Sequence, residues 1–186
     1  MRRIVITQNI TLDGVIDTAE SWFDVTTDTD QGRELAEVTA QHAAMSDGFL
    51  VGRVTFEEMR SFWPHQVDDL TGVTEHLNRV QKYVVSTTLD DPGWAGTRIL
   101  QGGDALETEI HALTEEDGTD IVLTGSITLG STLLRAGLVD ELRLFTFPIV
   151  LGQGRRLFPE GWRAKHLQLL EHRKFSGGVT LTRYAL

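Results

Sequence analysis

The sequence predicts an α/β domain: a largely parallel sheet covered on both faces by helices, with antiparallel strands at one edge. Three observations carry this. Short apolar runs ending in glycine or hydroxyl residues alternate with stretches of helical period from residue 3 to residue 137. From residue 141 onward the pattern turns strand-rich. The length of 186 residues, with no linker, repeat or low-complexity segment, suits one domain, 1–186, with a full core.

Residues 3–9 run apolar and alternate, which reads as a first strand. Leu12-Asp13-Gly14-Val15-Ile16-Asp17 reads as a loop turning at Asp-Gly. From about Asp30 to Met45, the residues Leu35, Val38, His42 and Met45 recur at helical spacing, with Asp28 or Asp30 placed to cap. Phe49-Leu50-Val51 is a short buried strand that ends at Gly52, and Thr55 with Glu58 has capping-box spacing, so a helix is expected to start at Thr55. Beyond Trp63-Pro64, residues 74–80 suit a further short helix. Tyr83-Val84-Val85 is the next strand, ending at Ser86-Thr87, and 97–100 another, leading into a helix from Asp104 with Leu106, Ile110 and Leu113 on one face. Ile121-Val122-Leu123 is again a buried strand. The helix after it closes at Gly137, a left-handed C-cap with Leu138 as its apolar contact. Residues 141–150 read as one long strand, and 166–175 with 179–185 as a hairpin turned by Ser176-Gly177-Gly178.

Formal net charge is −10, with the 17 basic residues scattered along the chain. Such a surface repels nucleic acid and anionic lipid, so neither is expected as a partner; a small molecule is. An anionic ligand then needs a local device, a helix N-terminus or a single arginine. The absence of cysteine excludes disulfides and thiolate metal sites. The six histidines lack ligand spacing on any helix, and His166 and His172 only flank a strand, so no metal site is expected. The first nine residues hold too short an apolar run for a signal peptide, and no run is long enough to cross a bilayer, which makes a cytoplasmic location the expectation. The late apolar strands and the segment 148–158 suit either core or the surface of a homodimer.

In sheets of this kind ligands gather at the carboxyl ends of the parallel strands, here the turns at 52–55, 86–87 and 124–126. Gly52-Arg53-Val54-Thr55 reads either as a tight turn with a solvated arginine or as an anion site made of helix N–H groups and a guanidinium. Gly125-Ser126 repeats the arrangement, with Ser126 either a simple N-cap or part of a phosphate site. Ser86 and Thr87 offer two hydroxyls at a third strand end. Other motifs fail: Gly152-Gln153-Gly154 follows a late strand and opens no helix, so a Rossmann fingerprint is absent, and no phosphate-loop lysine or nucleophile elbow is present. Trp22, Trp63, Trp94 and Trp162 read as packing residues, although Trp22 follows the first loop and could line a pocket.

Together the segments Ile10-Thr11-Leu12-Asp13-Gly14-Val15-Ile16, Gly52-Arg53-Val54-Thr55-Phe56, Val84-Val85-Ser86-Thr87, Gly125-Ser126-Ile127-Thr128-Leu129, Gly137-Leu138-Val139-Asp140-Glu141-Leu142 and Pro148-Ile149-Val150-Leu151-Gly152-Gln153-Gly154 resemble the dihydrofolate reductase-like superfamily, in particular stand-alone reductase domains of the riboflavin-biosynthesis type. The resemblance covers nearly the whole chain. It implies a three-layer αβα sandwich and an NADPH-dependent reductase similar to 5-amino-6-(5-phosphoribosylamino)uracil reductase. It also implies that Gly52, Arg53 and Thr55 serve the 2′-phosphate and pyrophosphate, that Ser86 and Thr87 reach the 2′-phosphate side, and that Gly125, Ser126, Ile127 and Leu129 hold the pyrophosphate and nicotinamide ribose. Val15 and Ile16 would lie in a loop over the nicotinamide. Two departures stand out. Thr124 occupies a position where riboflavin-pathway reductases usually carry glutamate, and the Asp-Asp-Pro segment they carry after the second strand is replaced by Gly52-Arg53-Val54-Thr55. The acid that dihydrofolate reductases place on the first helix has only Asp24, Asp28 or Asp30 as counterparts.

Hydride transfer needs no protein nucleophile; the protein sets distance, orientation and dryness. The expected acceptor is a C=N or C=O bond of a small flat heterocycle of pyrimidine or pteridine kind, or of an aminosugar-like group, with Asn9, Trp22 and Thr124 beside it. Asp13 is the candidate acid, its alternative being a turn-forming aspartate before Gly14, with the proton coming from water. Dihydrofolate reduction proper and a non-catalytic nucleotide-binding module on the same fold remain the alternatives.

Overall fold

The computed structural model describes residues 1–17, 22–23, 29–67, 69, 71–164 and 166–186. Among the described residues, eight strands form one sheet in the order β4-β3-β2-β5-β1-β6-β8-β7. The strands are β1 (Ile4–Thr11), β2 (Ser46–Gly52), β3 (Gln81–Val85), β4 (Thr97–Leu100), β5 (Asp120–Leu123), β6 (Glu141–Phe147), β7 (Gln168–Lys174) and β8 (Thr180–Ala185). All pairs from β4 to β6 are parallel, and the C-terminal hairpin adds β8 and β7 antiparallel.

The helices are α1 (Asp30–Ala44), α2 (Arg53–Phe62), α3 (Val73–Arg79), α4 (Leu106–Glu115) and α5 (Ile127–Ala136). The period-two alternation of the strands decides which face each helix covers. Ile4, Ile6, Leu50, Ile121, Leu123 and Leu142 point to one face and pack with Ile110 and Leu113 of α4 and Leu133 of α5. The alternate residues point the other way: Phe145 and Phe147 meet Leu35 and Val38 of α1, while Phe49, Val51 and Val84 meet Phe56 of α2 and Leu77 of α3. The result is three layers.

Most strand ends move by one to three residues from those expected from sequence, and four differences have a local reason. The cap of α1 is Thr29, whose hydroxyl accepts from the Gly32 N–H at 3.0 Å, and not Asp30; Asp24 and Asp28 lie outside the described residues. Helix α2 starts at Arg53, two residues before the capping-box position, with Gly52 as its cap. A 3-10 turn, Gly103–Ala105, takes up Asp104, so α4 begins at Leu106. Strand β6 stops at Phe147 because Pro148 cannot continue the ladder, and Ile149 folds back to donate to the Phe147 carbonyl at 2.8 Å. Gly137 caps α5 as expected, at φ +69°.

At the amino end of the central strands the sheet encloses a charged network. Arg143 has no exposed surface; it donates to Glu141 at 2.7 Å and to Asp120 at 2.5 Å. Arg3 grips Asp120 with two nitrogens, at 2.8 and 2.9 Å, and Arg183 bridges Glu141 and Glu171. His42 of α1 packs on the Phe145 ring nearby. Burial, then the charges of Arg143 and Arg183, push its pKa from 6.5 down to about 4, against the weaker opposite pull of Glu171 and Glu141. The folded protein therefore holds His42 neutral. Its contribution to stability is complete above pH 6.5 and is lost as pH falls from there toward about 4. Replacing His42 with phenylalanine is expected to flatten that limb of the stability-against-pH curve, as urea titrations between pH 4 and 7 would show.

Among the described residues no helix is long and apolar enough to cross a membrane.

Candidate functional site

A cleft of about 680 Å³ opens at the carboxyl ends of β1, β2 and β5. Strand β1 contributes Asn9, and the loop after it Ile16. The turn into α2 contributes Gly52, Arg53 and Thr55; the turn into α5 contributes Thr124, Gly125, Ser126, Ile127 and Leu129. Two of the three strand ends singled out from sequence thus meet in one groove.

Two hydrogen bonds and two residues with left-handed backbone build it. Ser126 is the one described non-glycine residue with positive φ, at +48°. Its hydroxyl does not cap α5; it accepts from the Gly52 N–H at 3.0 Å, tying the mouth of α2 to that of α5. Gln8 reaches across from β1 and accepts from the Gly125 N–H at 3.1 Å. Gly125 itself is at φ +61°, and a Cβ there would press Thr55 Cγ2 at 3.2 Å. Among the described residues no side chain caps the N-terminus of α2 or α5, so two helix starts point unspent amide donors toward one groove. Arg53 stands at its edge, 42% exposed at the side chain, with one guanidinium nitrogen on Glu57 at 2.8 Å.

The other predicted residues lie around this groove. Val15 is fully buried and Ile16 is buried beside the cleft. Their loop is pinned to the segment 151–157: Ile16 N–H donates to the Arg155 carbonyl at 2.9 Å, and Val15 bridges Arg156. Asp13 does not line the cleft. Its carboxylate accepts from the Thr11 hydroxyl at 2.6 Å and from the Gly152 and Leu151 N–H groups at 2.9 and 3.3 Å. The Thr11 bond first, then Gly152, holds its pKa down to about 2, so at neutral pH Asp13 has no proton to give and serves as the clasp between the two loops.

Trp22 is also outside the lining. It donates to the Asp17 carbonyl at 2.7 Å and packs edge-on against Phe147, while its neighbour Phe23 faces the cleft. Ser86 and Thr87 sit one strand over from Gly52, beyond the groove. Ser86 is buried, its hydroxyl accepting from the Thr88 and Leu89 N–H groups, and Thr87 is exposed.

Sequence reasoning passed over Gln8, Phe23 and Arg155, all of which line the cleft. Arg155 follows the Gly152-Gln153-Gly154 run directly and donates to Asp17 at 2.9 Å. That run was the available signal; nothing in the sequence marks Gln8 or Phe23.

Comparison with known proteins agrees with this architecture. A family model described as the RibD C-terminal domain matches residues 2–181. The uncharacterized protein YyaP of Bacillus subtilis strain 168 is 30% identical over 181 residues, covering 96% of this chain and 92% of that protein. Among solved structures, a pyrimidine reductase-like protein of Corynebacterium diphtheriae superposes with a TM-score of 0.69 at 14% identity, over 100% of this chain and 92% of that one. A diaminohydroxyphosphoribosylaminopyrimidine deaminase/5-amino-6-(5-phosphoribosylamino)uracil reductase of Thermotoga maritima gives 0.65 at 17% identity; 99% of this chain covers 56% of that one. With the sheet order, the paired helix mouths and a match over almost its full length, the chain belongs to the RibD C-terminal domain family, on the dihydrofolate reductase-like fold.

Proposed function

We propose that this chain is an NADPH-dependent reductase acting on a small ring compound. The observation that carries the reading is the pair of uncapped helix N-termini, clamped mouth to mouth by the Ser126 hydroxyl on Gly52 N–H, with Arg53 at their rim. Two adjoining clusters of free amide donors suit a pyrophosphate, and a guanidinium at the rim suits a further phosphate on the ribose. The residues present therefore fit a phosphorylated dinucleotide.

In this reading the turn Gly125-Ser126-Ile127 holds the pyrophosphate, Arg53 and Thr55 hold the 2′-phosphate, and the exposed Thr87 hydroxyl flanks that end with Ser86 shaping its loop. Leu129 packs beneath the ribose. Asn9 and Ile16 border the nicotinamide, and Val15, buried under the loop, fixes Ile16 in place. The bound coenzyme supplies the hydride. The chain's own part is to orient the two rings and exclude water. Water supplies the proton, since Asp13 stays ionised.

Thermal-shift titration with NADPH and NADH, on wild type and Arg53→Ala, tests the assignment. The variant is expected to lose about 1.5–3 kcal/mol of its preference for NADPH, the scale of a hydrogen bond to a charged group, roughly 10–150-fold. Equal loss for both coenzymes would move Arg53 off the 2′-phosphate, and an unchanged preference would remove it from the site. Wild-type protein that binds neither coenzyme would end the reading.

A further inference from the structure

A second cavity, of about 370 Å³, lies between α1 and α3 on the face of the sheet opposite α4 and α5. It shares Thr124 and Met59 with the cleft, so the two spaces adjoin at the end of β5. Its floor is Thr7, Phe49, Val122 and Phe145, all pointing to the α1 side of the sheet. His42 stands in one wall and Val73 in the other.

Its charge is as informative as its shape. Arg79 is the one lysine or arginine among the described lining residues, and it faces Glu75 at 3.8 Å on an exposed turn of α3. His42 is neutral at pH 7. Among the described lining residues nothing amounts to a phosphate site.

The inner end has unmet polar atoms. Thr7 pairs in register with Arg143, and the Arg143 charge is felt at His42. Thr7 Oγ1, His42 Nδ1 and Arg143 Nη1 are all buried without a hydrogen-bond partner among the described residues. Such atoms are rare in folded proteins and mark a place where something polar belongs. A hydroxyl rotation at Thr7 or a ring turn at His42 would turn Thr7 Oγ1 or His42 Nδ1 toward a guest; Arg143 is not among the lining residues.

We propose that this chamber is the acceptor-binding site of the reductase, and that it takes an uncharged, flat, largely apolar ring compound with a carbonyl or amide edge, not a phosphorylated one. The proposal rests on the dinucleotide occupying the adjoining cleft, which places the nicotinamide next to Thr124. The ring body lies on the Phe49, Val122 and Phe145 floor. Its polar edge meets the Thr7 and His42 end. The chain thereby differs from the Thermotoga maritima protein, whose named substrate carries a phosphoribosyl group.

Quinoxalin-2-one, a neutral bicyclic lactam, is the probe, with ribose 5-phosphate as the phosphorylated comparison. Binding is measured by equilibrium dialysis in the presence and absence of NADPH. Quinoxalin-2-one is expected to bind wild type, and ribose 5-phosphate at tenfold excess should not displace it. Filling the chamber by Ala43→Trp, or from the opposite wall by Val73→Phe, should weaken the probe at least tenfold while NADPH affinity stays within twofold, which also shows that the variant has folded. Thr7→Val should weaken the lactam more than it weakens naphthalene, which has no polar edge. Failure of the probe to bind protein that does bind NADPH, indifference to both filling variants, or displacement by ribose 5-phosphate would overturn the proposal. Loss of NADPH binding by wild type with the probe still bound would instead sink the coenzyme assignment and leave the chamber standing.

Discussion

Replacing Arg143 with alanine is expected to cost about 3–5 kcal/mol of folding stability, the scale found when one partner is removed from a buried ion pair. Arg143 is fully buried, and its two bonded carboxylates are almost as deep: Glu141 is 1% and Asp120 5% exposed. Without the guanidinium, Asp120 depends on Arg3, whose side chain is 48% exposed, and Glu141 on Arg3 and Arg183. Burial alone would raise the Glu141 pKa, and the bonds from Arg183 and Arg143 are what bring it below the ordinary carboxylate value. The loss would appear as a lower urea midpoint at unchanged slope. A loss under 1 kcal/mol would show that Arg3 and Arg183 suffice and that Arg143 adds little.

Gly125→Val is the second substitution with a large expected effect, and here the loss falls on ligand binding. A branched side chain at φ +61° strains the backbone by about 1–3 kcal/mol, and its Cβ would crowd Thr55 across the groove at 3.2 Å. The turn must then shift, misdirecting the amides at the start of α5. Calorimetric titration is expected to show NADPH affinity down about 100-fold, equivalent to one or two charge-assisted hydrogen bonds. Gly137→Val is the matched control. It has the same left-handed backbone, φ +69°, at the other end of the same helix, and an added Cβ there meets no described residue within 4 Å. It should lose stability and keep its affinity. Equal affinity losses in the two variants would mean that helix strain, not the cradle, sets binding.

Much of this was legible because parallel strands end in turns with a recognisable chemistry. Val51-Gly52-Arg53 and Thr124-Gly125-Ser126 each join an apolar run to a helical one, and both turns line the cleft. What the sequence could not show was how distant segments use each other's polar groups. Ser126 looks like a cap from its own neighbours, yet its hydroxyl goes to residue 52; Asp13 looks like an isolated acid, yet it holds the backbone at residues 151 and 152. Phe23 and Gln8 carry no local mark, since an aromatic or an amide in such a position is as easily core or surface. The chamber under α1 was hidden for a related reason: Val38, His42 and Phe145 spell out an ordinary apolar interface, and only the three-dimensional spacing shows that α1 and α3 stop short of closing it.

The single bond from Gly52 to Ser126 makes the two halves of the groove mechanically dependent. A shift of one helix start is passed to the other, so a substitution that moves the backbone of either turn disturbs both. Trimming a side chain at the rim, as in Arg53→Ala, leaves that link intact, whereas removing the hydroxyl at residue 126 is expected to loosen both helix mouths at once.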